Sequence, residues 1–133
     1  MNSTTQKIIL VVEDERPLLD AVKVKLEGQG FKVITARSVD SAIECLENSK
    51  GVSAIWLDHY LLGKENGLDF VIRCKKEGSE HRELPIFLVS NTASPDKVQS
   101  YFKLGVDKYY VKAESRLDGI VEDVNSKLSS GNL

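Results

Sequence analysis

The sequence predicts an α/β fold, a doubly wound parallel sheet covered by helices on both faces. Length and composition set one globular domain, and the alternation of segments predicts this fold for it. The chain has 133 residues, room for one domain of ordinary size. Its hydrophobic fraction of 41% and charged fraction of 29% suit a globular core built without disulfide or metal staples. Along its length, short apolar runs rich in branched or aromatic residues alternate with stretches of helical periodicity, and no internal repeat is found.

Five runs read as strands: Ile8–Val12, Lys32–Thr35, Val52–Leu57, Pro85–Ser90 and Lys108–Val111. Between the first two, Pro17 to Glu27 puts Leu18, Leu19, Val22 and Leu26 on one helical face, and Gly28 and Gly30 stop the helix. Ser38 caps a second helix, with Val39, Ala42, Ile43 and Leu46 in register. The third spans about Gly67 to Lys76, with Leu68, Val71 and Ile72 expected inward. Ser94 as cap and Pro95 at the first position open a fourth, which carries Val98, Tyr101 and Phe102. The last holds Leu117, Ile120, Val121, Val124 and Leu128, and Ser115 with Asp118 resembles a capping box at its entry. Met1–Gln6 and Ser129–Leu133 are polar ends.

Charge and composition exclude several functions. Lys and Arg number 18 against 20 Asp and Glu, a net charge of -2 that offers no generic surface for nucleic acid or anionic membrane. The longest apolar run, Ile8 to Val12, is far short of the ~20 residues of a membrane span, and no signal-like segment opens the chain. A cytoplasmic protein is expected. Cys45 and Cys74 are isolated and read as buried reduced thiols; with only His59 and His81 beside them, no zinc ligand set exists.

Open α/β sheets bind ligands beyond the carboxyl ends of their strands. Those ends carry Glu13, Asp14 and Glu15 after the first strand, Asp58 after the third, Ser90 after the fourth and Lys112 after the fifth. Carboxylates crowded at one edge repel one another, and a hard divalent cation such as Mg²⁺ relieves that repulsion. Lys112 and Ser90 then supply a charge and a hydroxyl donor for something anionic. The set reads as a carboxylate that accepts a phosphoryl group. Glu15 is left as an exposed acid at a helix start.

These residues resemble a bacterial two-component response regulator receiver domain, of the chemotaxis-regulator-like, stand-alone type, over essentially the whole chain. The resemblance rests on Ile8-Ile9-Leu10-Val11-Val12-Glu13-Asp14-Glu15, Trp56-Leu57-Asp58-His59-Tyr60-Leu61, Ile86-Phe87-Leu88-Val89-Ser90 and Gly105-Val106-Asp107-Lys108-Tyr109-Tyr110-Val111-Lys112. It implies a flavodoxin-like sheet of order 2-1-3-4-5 with five helices, and a single receiver domain over 1–133 with its core at about 7–128. Asp58 would be the phosphoacceptor, Lys112 its pairing lysine, Ser90 the switch hydroxyl and Tyr109 the switch aromatic. Glu13, Asp14, Asp58 and the backbone carbonyl of Tyr60 would hold Mg²⁺ or Mn²⁺. The implied partners are a histidine kinase or histidine phosphotransfer protein and a downstream protein target at the face of the fourth helix, fifth strand and fifth helix. A phosphorylation-linked homodimer is a further possibility, and no output domain is expected beside the receiver.

Three residues depart from the family pattern. Leu62 replaces the usual Pro in a loop one residue longer than its commonest form, Asn91 follows Ser90 where a small residue is typical, and Ala113 follows Lys112 where Pro usually forms a cis bond. A non-proline cis bond costs about 3–4 kcal/mol, so the Lys112–Ala113 peptide is either trans or strained. His59 reads as an exposed loop residue, and Lys103, Lys108 and Tyr101 as candidates for a partner surface. Tyr60 and Thr92 are expected to border the path of attacking water, with bulky Tyr60 slowing hydrolysis of the phosphoryl group.

The resemblance describes a signalling phosphoacceptor rather than an enzyme with turnover. A phosphatase of the haloacid dehalogenase type would need a second Asp where Tyr60 stands. A flavin carrier would need a phosphate cradle where Glu13–Glu15 would repel it. The runner-up is a receiver-like interaction module that is not phosphorylated in the cell.

Overall fold

The computed structural model describes residues 6–91 and 94–130. Five parallel strands, β1 (Ile8–Val12), β2 (Lys32–Ala36), β3 (Val52–Leu57), β4 (Ile86–Ser90) and β5 (Lys108–Val111), form one sheet in the order β2-β1-β3-β4-β5. The doubly wound α/β fold is as expected. β2 runs one residue further than expected and β4 starts one later. The central strands β1, β3 and β4, buried on both faces, are mostly apolar, and the edge strands β2 and β5 carry exposed Lys32 and Lys108. Side chains alternate across β1: Ile9 and Val11 pack on one face, Leu10 and Val12 on the other.

Helices α1 (Arg16–Gly28) and α5 (Leu117–Ser130) cover the first face. There Leu19, Val22, Leu26, Ile120, Val121, Val124 and Leu128 enclose Trp56, Phe87 and Val89. Helices α2 (Val39–Asn48), α3 (Gly67–Lys75) and α4 (Pro95–Lys103) cover the second with Val39, Ala42, Leu46, Phe70, Val71, Cys74 and Tyr101. Each large apolar side chain so buried contributes about 1.5–3 kcal/mol. The expected caps form at Ser38, whose Oγ accepts from Ser41 N at 3.1 Å, and at Ser94, which accepts from Lys97 N ahead of Pro95. A reciprocal capping box ties Asn66 to Asp69, an entry the sequence reading did not include. Gly30, at φ +97°, supplies the left-handed turn that ends α1.

Some expectations are corrected. Ile72 is 49% exposed rather than inward; Phe70 and Cys74 fill that face of α3 with Val71. Phe102 is 46% exposed, so of the apolar residues of α4 only Tyr101 is buried. Ser115 does not cap α5, which begins at Leu117, too late for a capping box with Asp118; the Asp118 carboxylate instead accepts from Lys25 at 2.6 Å. Cys45 is half-buried and Cys74 buried, both as free thiols, and burial pushes the Cys74 thiol up to about 12. None of the described helices is long and apolar enough to cross a membrane.

Candidate functional site at the carboxyl edge of the sheet

The sheet ladder continues past the strand ends and fixes where the acids stand. Glu13 N–H donates to the Ala36 carbonyl, and Asp58 N–H to the Val12 carbonyl, each at 3.0 Å. β1 lies between β2 and β3, so these bonds set Glu13 and Asp58 side by side at one edge. Glu13 is fully buried and Asp58 is 2% exposed. With half-buried Asp14 they present oxygens all within 4.8 Å of one another, the one such grouping of His, Cys, Asp or Glu among the described residues.

Lys112 reaches into this cluster from the end of β5. Its Nζ donates to Asp58 Oδ2 at 3.1 Å and lies 3.0 Å from Glu13 Oε1. That ion pair is the contact of Glu13 Oε1, a buried oxygen with no further donor, so it keeps a lone pair to spare. Glu13 Oε2 accepts from Glu15 N at 3.0 Å, and Asp58 Oδ1 from His59 N at 2.8 Å. Burial raises the Glu13 pKa, with the Asp58 charge adding to it, against the opposing Glu15 hydrogen bond and Lys112. Burial alone would lower Lys112, yet Glu13 and Asp58 together hold its ammonium above the ordinary value. Three carboxylates against one ammonium leave an excess of negative charge, and an oxygen with spare acceptor capacity. That donor set fits a hard divalent cation.

Ser90 is buried at the last position of β4, paired in register with Val111 just before Lys112. Tyr109 and Tyr110 point to opposite faces, both half-buried: Tyr109 packs on the α2–α3–α4 side, while Tyr110 donates to Asp123 at 2.8 Å on the α1–α5 side. Tyr60 is 53% exposed and sits edge-on to the His59 ring, with centroids 4.8 Å apart. Thr92 lies outside the described residues. The Lys112–Ala113 peptide is trans, and the Ala113 N–H donates to Asn91 Oδ1 at 2.8 Å. Asn91, where a small residue was typical, thus laces the end of β4 to the turn after β5. Leu62, in the position of the usual Pro, uses the N–H that Pro would lack to reach the Arg37 carbonyl at 3.0 Å.

Two further arrangements escaped the sequence reading. Arg37, at the end of β2, donates through Nε and Nη2 to the Asp14 carbonyl at 3.0 and 2.7 Å and so fixes the acidic loop. Adjacency of β2 to β1 is the signal that could have found it. His59 was expected on the surface but is 3% exposed, and Tyr101, expected on a partner surface, is fully buried. The two meet at 2.5 Å, His59 Nδ1 to Tyr101 Oη, across 42 positions of sequence. Lys103 and Lys108 are exposed.

The family model of the response regulator receiver domain matches residues 9–124. The phosphate regulon transcriptional regulatory protein PhoB of Escherichia coli (strain K12) is 34% identical over 104 residues, covering 78% of this chain and 44% of PhoB. The chain thus spans less than half the length of that relative. A CheY-like receiver domain protein from Methanospirillum hungatei JF-1 superimposes with a TM-score of 0.84 at 23% identity, over 95% of this chain and 96% of the other. The Mn²⁺-bound form of response regulator Rcp1 has a TM-score of 0.78 at 25% identity, over 90% and 92%.

Proposed function

We propose a phosphorylation-controlled switch for this chain, which belongs to the response regulator receiver domain family. The observation that carries the reading is a buried carboxylate, Asp58, held at the sheet edge between Glu13 and the Lys112 ammonium. Asp58 is read as the phosphoacceptor, and the donor as a phosphohistidine on a histidine kinase or phosphotransfer protein. A carboxylate oxygen attacks phosphorus; the new O–P bond forms as the donor's N–P bond breaks, and the imidazole leaves with the electron pair and takes up a proton. Lys112 offsets charge on the phosphoryl oxygens, and the Ser90 hydroxyl donates to one of them. Glu13, Asp14 and Asp58, with the Tyr60 backbone carbonyl, would hold Mg²⁺ or Mn²⁺, which when bound supplies further neutralisation of that charge. The Mn²⁺-bound form of Rcp1 supports a divalent ion here.

Phosphorylation then draws on Ser90 and Tyr109 to alter the face formed by α4, β5 and α5, shifting a two-state equilibrium. The output is a protein contact at that face, a second copy of the chain being one candidate, and the work is done in the cytoplasm where ATP-fed phosphohistidine donors are made. Beyond its own phosphorylation and dephosphorylation the chain turns over no substrate. Incubation with acetyl phosphate and Mg²⁺ tests this: a phosphoryl-sized mass gain is expected in the wild type and absent in Asp58→Asn. No gain, or an equal gain in the variant, would overturn it and favour an interaction module that is not phosphorylated.

A further inference from the structure

Helix α4 is the least deeply seated of the helices around the site. Only one of its side chains, Tyr101, is buried, and that side chain ends on the residue next to Asp58. His59 N–H holds Asp58 Oδ1 at 2.8 Å, its ring holds the Tyr101 hydroxyl, and its carbonyl accepts from Gly67 N at 2.8 Å. The hydroxyl also lies close against Gly67. A Cβ at Gly67 would stand 2.7 Å from Tyr101 Oη and 2.6 Å from the Asp58 carbonyl, so three elements converge on one point. Burial pushes the His59 imidazole below and the Tyr101 phenol above their ordinary values, so a neutral imidazole and a neutral phenol meet there at pH 7.

We propose that Tyr101 is a positioning residue that, through its hydrogen bond to His59, ties the seat of α4 to the loop carrying Asp58. This rests on Asp58 as phosphoacceptor and adds a route separate from Ser90 and Tyr109. Conversion of the carboxylate to an acyl phosphate changes the charge on the group that His59 N–H serves. His59 must readjust, and Tyr101 carries that readjustment to the one deep anchor of α4. By linkage, the factor by which a phosphoryl mimic changes the affinity of a partner for α4 is the factor by which that partner changes the affinity of the site for the mimic.

The test uses beryllofluoride with Mg²⁺ as the mimic, calorimetric titration for its affinity, and hydrogen exchange of residues 95–103 as the readout at α4. In the wild type, filling the site changes exchange in α4. In Tyr101→Phe and in His59→Leu, the site still fills, the affinity moves by about fivefold, the worth of a typical hydrogen bond, and the α4 response falls by more than half. The double variant goes no further than either single one. His59→Asn, which offers an amide atom near the place of Nδ1, keeps the response. A full α4 response in Tyr101→Phe, or single effects that multiply in the double variant, would overturn the coupling while leaving Asp58 as acceptor. A wild type that never takes up the mimic would overturn both.

Discussion

Replacing Asp58 with Asn is expected to make the metal-free protein harder to unfold. At an effective dielectric constant of about 20, the Lys112 contact at 3.1 Å is worth about 5 kcal/mol to Asp58. Against it stand Glu13 and Asp14, whose oxygens lie within 4.8 Å; each repels Asp58 by at least about 3.5 kcal/mol on the same scale. Solvent around half-exposed Asp14 weakens its share, so attraction and repulsion nearly cancel. What remains is the cost of holding a carboxylate that is 2% exposed, several kcal/mol, less about 2 kcal/mol for the charged hydrogen bond an amide gives up. Lys112 is not orphaned, because Glu13 Oε1 stays 3.0 Å away.

The balance is a stabilisation of about 1–3 kcal/mol, or a rise of about 1 M in the urea midpoint measured in EDTA. Saturating Mg²⁺ should reverse or erase that advantage. A site filled to a hundred times its dissociation constant adds about 2.7 kcal/mol to the wild type, and a variant with one carboxylate fewer gains less. An Asp58→Asn protein that unfolds earlier than the wild type in EDTA would refute the arithmetic. Equal Mg²⁺ shifts in both proteins would remove Asp58 from the metal site.

Lys112→Met should act in the opposite sense, costing about 3–5 kcal/mol in EDTA by leaving two buried carboxylates unpaired, with part of the loss restored by Mg²⁺ in the same urea titration. Gly67→Ala should lower the unfolding free energy, read from the same urea titration, by about 1–3 kcal/mol, since its Cβ would meet the Asp58 carbonyl at 2.6 Å. Gly119→Ala, in open space on α5, should raise it by up to about 1 kcal/mol. His59 has a folded pKa below its ordinary 6.5, so the stability it lends is present above pH 6.5 and lost as pH falls through the folded value. The stability difference between wild type and His59→Asn in EDTA should therefore shrink from pH 7.5 to pH 5.5, and a constant difference would contradict this.

The fold was legible because the central strands of a parallel sheet, buried on both faces, are mostly apolar runs, as in β1 and β3; the edge strand β5, with exposed Lys108, was marked instead by Tyr109, Tyr110 and Val111, and all three matched to the residue. Glu13, Asp14, Asp58, Ser90 and Lys112 were legible for a related reason: each is the polar residue that ends or follows a strand, and strand ends in such a sheet face one edge. Periodicity served less well on α3. Val71 belongs to two overlapping stripes there, and the capping box at Asn66 sets the rotation that turns Phe70 inward and Ile72 out. The His59–Tyr101 pair left no local signature. A polar residue beside an acid in a loop reads as exposed, and only the descent of α4 onto that loop buries it.

The Lys7 ammonium donates to the Leu128 carbonyl at 2.9 Å, pinning the start of β1 to the last turn of α5. Both lie at the amino edge of the sheet, the rim opposite Asp58. A short linker between the two ends, with new ends opened in the exposed turn around Glu77–Arg82, should therefore yield a circular permutant that keeps β1 central and the acidic edge whole. The same corner is where any fused tag or neighbouring module would depart, on the far side of the sheet from an incoming phosphodonor.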